Sequence, residues 1–390
     1  MSLLGLNILI VGGGIGGLTA AIALAQRGAT VEVLEQTPEI REVGAGLQIS
    51  PNGMCVLSAL GLADEIATHA VQAEAVELRD YRASKLVTRL DLGRLGPDQR
   101  YFFLHRADLI EILRRAAESA GVKITLNAVV ESVRQGARPS VSLASSDVLE
   151  ADLVVTADGL HSVGRQHLNG TSAPFFTRQT AWRMIVPNVG EHPNVARVHM
   201  GPKRHVVSYP LRDGNSVNLV AVLEGADWSD ESWSAKDDLA NVLEAFKGFS
   251  PDLLNLMSGA QDIGKWGLFR HPVAKKWFGE NLALLGDAAH PTLPFMAQGA
   301  VMAIEDAWVL AASLDGTECL GAGLAAYQAK RVERVTKIVD TASKNAWRYH
   351  LSFPPLRFAA HSVMRLGGAV APGKMMAQFD WIYRHDVTAD

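Results

Sequence analysis

Cysteine is almost absent: Cys55 and Cys319 are the only two in 390 residues. Two thiols make neither a disulfide framework nor a structural zinc site, and they fit a reducing, cytoplasmic setting. Positive charge is not in excess either. Lys and Arg number 37 against 41 Asp and Glu, giving a net charge of −4 and a pI near 6.3. Nucleic acid and anionic lipid call for a strong basic field, so a small-molecule partner is expected instead. The one long uncharged run, Leu6 to Ala25, is broken by Gly12, Gly13, Gly14, Gly16 and Gly17 and has no Lys or Arg before it. A strand, a turn and a helix are expected at this place rather than a membrane span or a secretory leader. There is no internal repeat, no linker rich in Pro, Gly or Ser, and no spacing among the histidines that would hold a metal. What is present is 48% apolar and 20% charged residues, the composition of a folded domain rather than a disordered chain. A chain of this mass buries about three quarters of its surface, enough for two packed domains without staples.

Along the chain, Leu6 to Val11 predicts a buried strand, Ile15 to Gln26 an Ala/Leu-rich helix and Thr30 to Glu35 a second strand. Parallel strands need such a helical crossover. Ser50-Pro51 predicts a capped helix start. Val76 to Leu92 predicts a strand pair, and Ala107 to Ala120 a helix ended by Gly121. Strands near 180–186, 195–200, 204–211 and 216–223 predict an antiparallel sheet. The chain then returns to a buried strand at Asn281 to Leu285, and helices dominate the rest. In the stretch Ala325 to Tyr349, Lys330, Arg331, Arg334, Lys337 and Lys344 alternate with apolar residues and are expected on a solvated face. The expected fold is α/β: a discontinuous Rossmann-like domain, an inserted mainly antiparallel sheet domain and a helical C-terminal region. The expected division gives 1–75, 101–174 and 273–320 to the nucleotide domain, 76–100 and 175–272 to the sheet domain, and 321–390 to the helices.

Gly12-x-Gly14-x-x-Gly17 lies between a predicted strand and a predicted helix, the context that gives this pattern meaning. Gly12 permits the turn, Gly14 lets backbone approach a pyrophosphate, and Gly17 lets the helix pack on the sheet. Glu35, at the end of the second strand, suits a ribose diol. The alternative is a glycine-rich turn with a surface Glu. The motif does not separate nicotinamide from flavin nucleotides. Two later segments do: Ala157-Asp158-Gly159-Leu160-His161-Ser162 continuing to Arg165, and Gly286-Asp287-Ala288-Ala289-His290-Pro291.

With Val43-Gly44-Ala45-Gly46, Arg106 in His105-Arg106-Ala107-Asp108-Leu109, and Pro294-Phe295-Met296-Ala297-Gln298-Gly299-Ala300, these segments resemble the FAD-dependent aromatic hydroxylases, single-component monooxygenases related to salicylate, hydroxybenzoate and hydroxynicotinate hydroxylases. The resemblance spans nearly the whole chain. It implies that Glu35 and Gln36 lie at the adenosine ribose and that Arg41 and Gln48 lie on the segment leading to the flavin. Arg106 approaches the linking chain, the Val129-Val130 backbone contacts adenine, and Asp158 supports the pyrophosphate region and the nicotinamide path. Gly286-Asp287 places an acceptor for a ribityl hydroxyl. Pro294, Gln298, Gly299 and Ala300 lead into a helix whose amides face the pyrimidine edge of the flavin. Ala297 stands where many relatives have glycine. His290, beside Asp287, is read as flavin-site structure rather than a metal ligand or part of a triad.

On the substrate side, two-residue alternation puts His205, Val207 and Tyr209 on one face of a strand. The resemblance implies substrate contact and deprotonation by His205 and Tyr209; the alternative is a packed His with a core Tyr. Phe295 and Met296 would wall an aromatic pocket, and Arg183 and Arg212 could receive a carboxylate. The implied activity is hydroxylation of a small phenolic or carboxylated ring, using FAD, NADH or NADPH and dioxygen through a flavin hydroperoxide. The chain would act as a monomer or homodimer, with no nucleic acid, integral membrane segment or metal involved. A flavin oxidase or dehydrogenase and a noncatalytic FAD-binding sensor stay open at this point.

Overall fold

β-branched runs such as Leu153–Thr156, buried at every position, have no polar face to show to water and sit inside a parallel sheet covered on both sides. The computed structural model describes residues 2–40, 45–171, 173–225 and 235–389. Its nucleotide sheet has six strands in the order Phe278–Gly279, Leu282–Leu284, Leu153–Thr156, Asn7–Val11, Thr30–Leu34 and Lys123–Thr125. Every pairing is parallel except that of the two strands around Glu280. Helix Ile15–Ala25 crosses between the first two strands and buries Leu18 and Ile22, each contributing roughly 1.5–3 kcal/mol by burial.

The second sheet has eight strands, ordered Ala235–Lys236, Ile263–Arg270, Phe175–Pro187, Ser216–Glu224, Arg204–Leu211, Val195–Gly201, Ala75–Asp80 and Leu86–Asp91. It is antiparallel except where Val195–Gly201 runs parallel to Ala75–Asp80. Strand alternation gives the sheet two apolar faces. Trp182, Met184, Val206, Leu219 and Ala221 pack on one side against Phe246, Phe249, Leu253 and Met257. Arg183, His205, Val207, Tyr209, Val220 and Val222 face the other way, onto a cavity. Helix Leu320–Tyr349 and the shorter helices Pro354–Val370, Pro372–Ala377 and Asp380–Tyr383 complete the chain. Among the described residues no helix is long and apolar enough to cross a membrane.

Two expectations are corrected. Arg331 and Arg334 are not on a solvated face: their side chains are 1% and 10% exposed. Helix Gly299–Leu314 buries Glu305 and Asp306 beside them, and a buried carboxylate needs a cationic partner. Ser50 occupies the helix N-cap without capping it. Its hydroxyl instead donates to Asn52 Oδ1 at 2.7 Å and accepts from Gln298 Nε2 at 2.9 Å.

Burial in the antiparallel domain lowers the pKa of His192 to about 4 and that of His199 to about 3; Arg197 opposes both charges, as does Arg79. Because the native forms bind a proton less readily than the unfolded chain, these groups stabilise the fold above about pH 6.5 and withdraw that contribution as pH falls toward 4 and 3. The unfolding free energy from urea denaturation should therefore drop between pH 7 and pH 4.5, by roughly 2–3 kcal/mol per histidine. The His199→Gln protein should show a shallower pH slope, and an unchanged slope would refute this account.

Candidate active site

A cavity of about 810 Å³ lies between the two sheets. One half is built by the ends of the parallel strands, where ligands of open α/β sheets bind. Gly12 has φ +104°, and a Cβ there would stand 2.5 Å from the Ala157 carbonyl oxygen; a Cβ on Gly17 would stand 2.0 Å from that of Gly12. A Cβ on Gly14 would meet nothing within 4 Å. The first two glycines are thus needed for packing, while the third keeps the cavity open against the backbone.

Charge follows the same division. Glu35 Oε2 accepts from the Gly13 amide at 2.7 Å and Oε1 from the Thr37 amide at 2.9 Å, fixing the carboxylate at the cavity edge beside Gln36. Asp158 Oδ2 accepts from the Val163 amide at 2.8 Å, while its buried Oδ1 has no protein partner. Asp287 lines the cavity and is exposed there, and desolvation by the surrounding protein raises its pKa. Burial lowers that of Arg106, with Asp287 pulling the other way. Helices Ile15–Ala25 and Gly299–Leu314 both begin at the cavity without a side-chain cap. Their free amides suit anions. A long dianionic nucleotide with hydroxyls along its length fits this set: an uncapped helix start for a pyrophosphate, an orphaned buried oxygen and an inward carboxylate for hydroxyls, and a second helix start for a ring that becomes anionic on reduction.

Residues 6–342 match the family model described as an FAD binding domain. The chain belongs to the FAD-dependent aromatic monooxygenases. It is 33% identical over 390 residues to the 3-amino-4-hydroxybenzoate 2-monooxygenase PtmB3 of Streptomyces platensis, covering 97% of this chain and 95% of that one. It is 31% identical to the 3-hydroxybenzoate 6-hydroxylase of Klebsiella oxytoca, covering 97% and 96%. Among solved structures it is similar to a salicylate hydroxylase substrate complex, with TM-score 0.82, 22% identity and coverage of 99% and 97%. It is also similar to Klebsiella pneumoniae HpxO complexed with FAD and uric acid, with TM-score 0.85, 25% identity and coverage of 96% and 97%. These relatives favour oxygen insertion over a flavin oxidase, a dehydrogenase or a noncatalytic sensor.

In this monooxygenase the cavity brings together Gly12, Gly14, Glu35, Gln36, Gln48, Arg106, Val130, Asp158, Gly286, Asp287, Pro294, Gly299 and Ala300. Gln48 accepts from the Tyr101 hydroxyl at 2.8 Å. Ala297 adopts φ +51°, ψ +34°, the left-handed conformation that glycine takes without penalty, so the loop keeps the glycine geometry at a cost in strain. Three expected cofactor residues do not line the cavity. Val129 is 42% exposed and its carbonyl accepts from Ala144 at 2.9 Å; Ala128 and Val130 form that wall. Gln298 is buried against Ser50 and accepts from Asn52 Nδ2 at 3.1 Å. Gly17 acts through packing alone. Arg41 lies outside the described residues. His290 hydrogen-bonds Asp306 in the core, and its ring lies tilted against Trp277 with centroids 5.2 Å apart.

The other half of the cavity holds His205, Tyr209, Arg183, Phe295 and Met296. Arg212 does not belong with them. It sits in the turn after its strand with φ +50°, and its guanidinium, half exposed, pairs with Asp108 at 3.1 Å. Tyr209 is pressed against Phe103, with ring centroids 5.0 Å apart, and approaches Gly46 so closely that a Cβ there would stand 2.6 Å from its ring. Burial raises the Tyr209 pKa, keeping its phenol protonated. The wall also contains Asn345, Tyr349, Phe379 and Tyr383 from the C-terminal helices. Asn345 and Tyr349 stand one helical turn apart and share a face, the only sequence signal that could have found them.

Two outcomes are expected. Gly14→Val should leave the apoprotein's melting temperature nearly unchanged, because the side chain enters open space, yet weaken FAD binding at least tenfold in a flavin absorbance titration. Arg331→Met leaves Glu305 and Asp306 underpaired in the core and should cost about 3–5 kcal/mol in urea denaturation. A loss below 1 kcal/mol would mean that the acids relax without it.

Proposed function

We propose that this monooxygenase hydroxylates a small aromatic ring carrying both a hydroxyl and a carboxylate, with NADH or NADPH as reductant and dioxygen as oxygen source. The supporting observation is the composition of the sheet face turned to the cavity: apolar residues interrupted by Arg183, His205 and Tyr209. Among the described residues Arg183 is the one charged side chain that this sheet gives the cavity lining. Its guanidinium lies 5.6 Å from the Trp266 ring centroid. Burial lowers its pKa, but arginine keeps its charge at neutral pH and offers a fork for a carboxylate. The attachment of a small acid there would turn the rest of its ring toward Phe295 and Met296.

Bound FAD, reduced by the nicotinamide, supplies activated oxygen to an electron-rich ring. The chain's own residues prepare that ring. His205 would take the proton of the ring hydroxyl, which raises the electron density to be attacked; a placed base contributes roughly 10² to 10⁴ in rate. Tyr209, still protonated, would donate a hydrogen bond to the resulting phenolate. The apolar walls hold water away from the reacting centre. The same reading has the enzyme working in the cytoplasm as a monomer or homodimer.

The purified holoenzyme should oxidise NADH or NADPH faster when a suitable hydroxybenzoate is present, with label from ¹⁸O₂ entering the product. Label only from water would end the hydroxylase reading. Arg183→Gln should raise KM for the acid by about tenfold or more, the value of one charge-assisted contact, and leave KM for the matching amide little changed.

A further inference from the structure

The cavity wall at His205 has a second layer. His205 Nδ1 lies 2.6 Å from His350 Nε2, and His350 Nδ1 lies 2.5 Å from Glu224 Oε1. The three groups lead outward. His205 is 2% exposed and His350 4%, whereas the Glu224 side chain is 32% exposed. Their backbone setting is firm. His350 ends helix Leu320–Tyr349, and its carbonyl accepts from the Lys203 amide at 3.1 Å. Glu224 closes strand Ser216–Glu224, its amide donating to the Lys203 carbonyl at 2.8 Å. Gln179 Nε2 lies 3.5 Å from Glu224 Oε1.

With both histidines neutral, the hydrogen bonds allow one set of protons. An ionised carboxylate only accepts, so His350 Nδ1 carries the hydrogen given to Glu224. His350 Nε2 then presents a lone pair and accepts from His205 Nδ1–H. That leaves a lone pair on His205 Nε2 to accept from a hydroxyl in the cavity that His205 lines.

We propose that His205, His350 and Glu224 form a proton relay that carries the substrate hydroxyl's proton from the cavity to solvent and returns it as product forms; this rests on His205 being the base. In the outward direction the substrate O–H bond breaks and an N–H bond forms at His205 Nε2. The His205 Nδ1 proton moves to His350 Nε2, the His350 Nδ1 proton moves to Glu224 Oε1, and from there it passes to water. Reprotonation of the product runs the chain backward and restores both tautomers. No electrons are exchanged and no other reactant is needed.

Burial explains why a relay is useful here. It lowers the pKa of His205 well below the usual range, and the neighbouring His350 adds to the effect; a lone His205 could not hold the proton it takes. Glu224 is held low by its bond from His350, so the carboxylate is ionised at rest and passes a proton it receives on to water. Charged and titratable groups around the relay include Lys203, which acts on Glu224, Tyr349, with its ring centroid 5.3 Å from that of His205, and Arg348, which acts on Tyr349. Phe295 faces His205 from the remaining side.

The test uses FAD-loaded enzyme and 3-hydroxybenzoate with its ring-fluorinated analogues, whose hydroxyl pKa falls along the series. At pH 7, His350→Gln and Glu224→Gln should each lower kcat for 3-hydroxybenzoate by about tenfold or more, the usual reach of a base, with KM within about twofold. For the most acidic analogue, ionised before it binds, both variants should recover to within about twofold of the parent. Raising the pH should restore 3-hydroxybenzoate turnover in the same way. A loss equal across the series would show a structural role only, and unchanged kcat would show no role; either overturns the relay. If His350→Gln does not fold, Glu224→Gln at the edge decides alone. Parent enzyme that hydroxylates no member of the series would instead sink the reading of the site on which the relay rests.

Discussion

Four charged side chains away from the cavity hold its parts in register. Glu305 and Asp306, on the helix that begins at the cofactor half, meet Arg331 at 2.6 and 2.7 Å, and Glu305 meets Arg334 at 2.7 Å. Asp306 also accepts from the Gly286 amide at 3.1 Å, and Asn52 donates to Glu305 at 2.6 Å. The cluster therefore ties the Gly286-Asp287 corner, the start of helix Gly299–Leu314 and the long helix that ends at His350 into one body. Desolvating such ions offsets much of their attraction, so the net gain in stability is small. What it supplies is position: each group satisfies a fixed set of partners, and a slipped helix would leave a bare charge in the core.

Around that anchor the cavity divides by chemistry. The parallel sheet ends in glycine turns, inward carboxylates and uncapped helix starts, all suited to a charged nucleotide. The antiparallel sheet presents alternate side chains, mostly Val with one Arg, one His and one Tyr, suited to a small polarised ring. The C-terminal helices close the second half with aromatic rings. Period-2 alternation in strand Arg204–Leu211 is what lets one strand face two environments, with Val206 in the helical layer and His205 and Tyr209 in the cavity.

The parts of the molecule legible from sequence were those encoded by local rules. The glycine turn, the crossover helix and the shared face of His205 and Tyr209 follow from backbone sterics and strand alternation, and the structure has each of them. Side-chain destinations set by distant partners were not legible. Arg331 and Arg334 read as solvated because the buried acids that claim them lie some 25 residues earlier, on a helix whose apolar content hid them. Arg212 and Arg183 are equally basic on paper, yet one lies on the cavity face of a strand and the other in an exposed turn. Gln298 was drawn inward by Ser50 and Asn52, nearly 250 residues away. Nothing near His350 announces it; its meaning arises only when the end of a long helix meets two strands.

The cavity's two halves also draw on different elements of the chain. The half suited to a nucleotide is lined by strand ends and glycine turns locked by packing, whereas the other half adds Asn345, Tyr349, Phe379 and Tyr383 from helices after residue 320. Exchange of bulk at Phe379 or Tyr383 would reshape what enters while leaving the glycine turns and inward carboxylates of the other half in place.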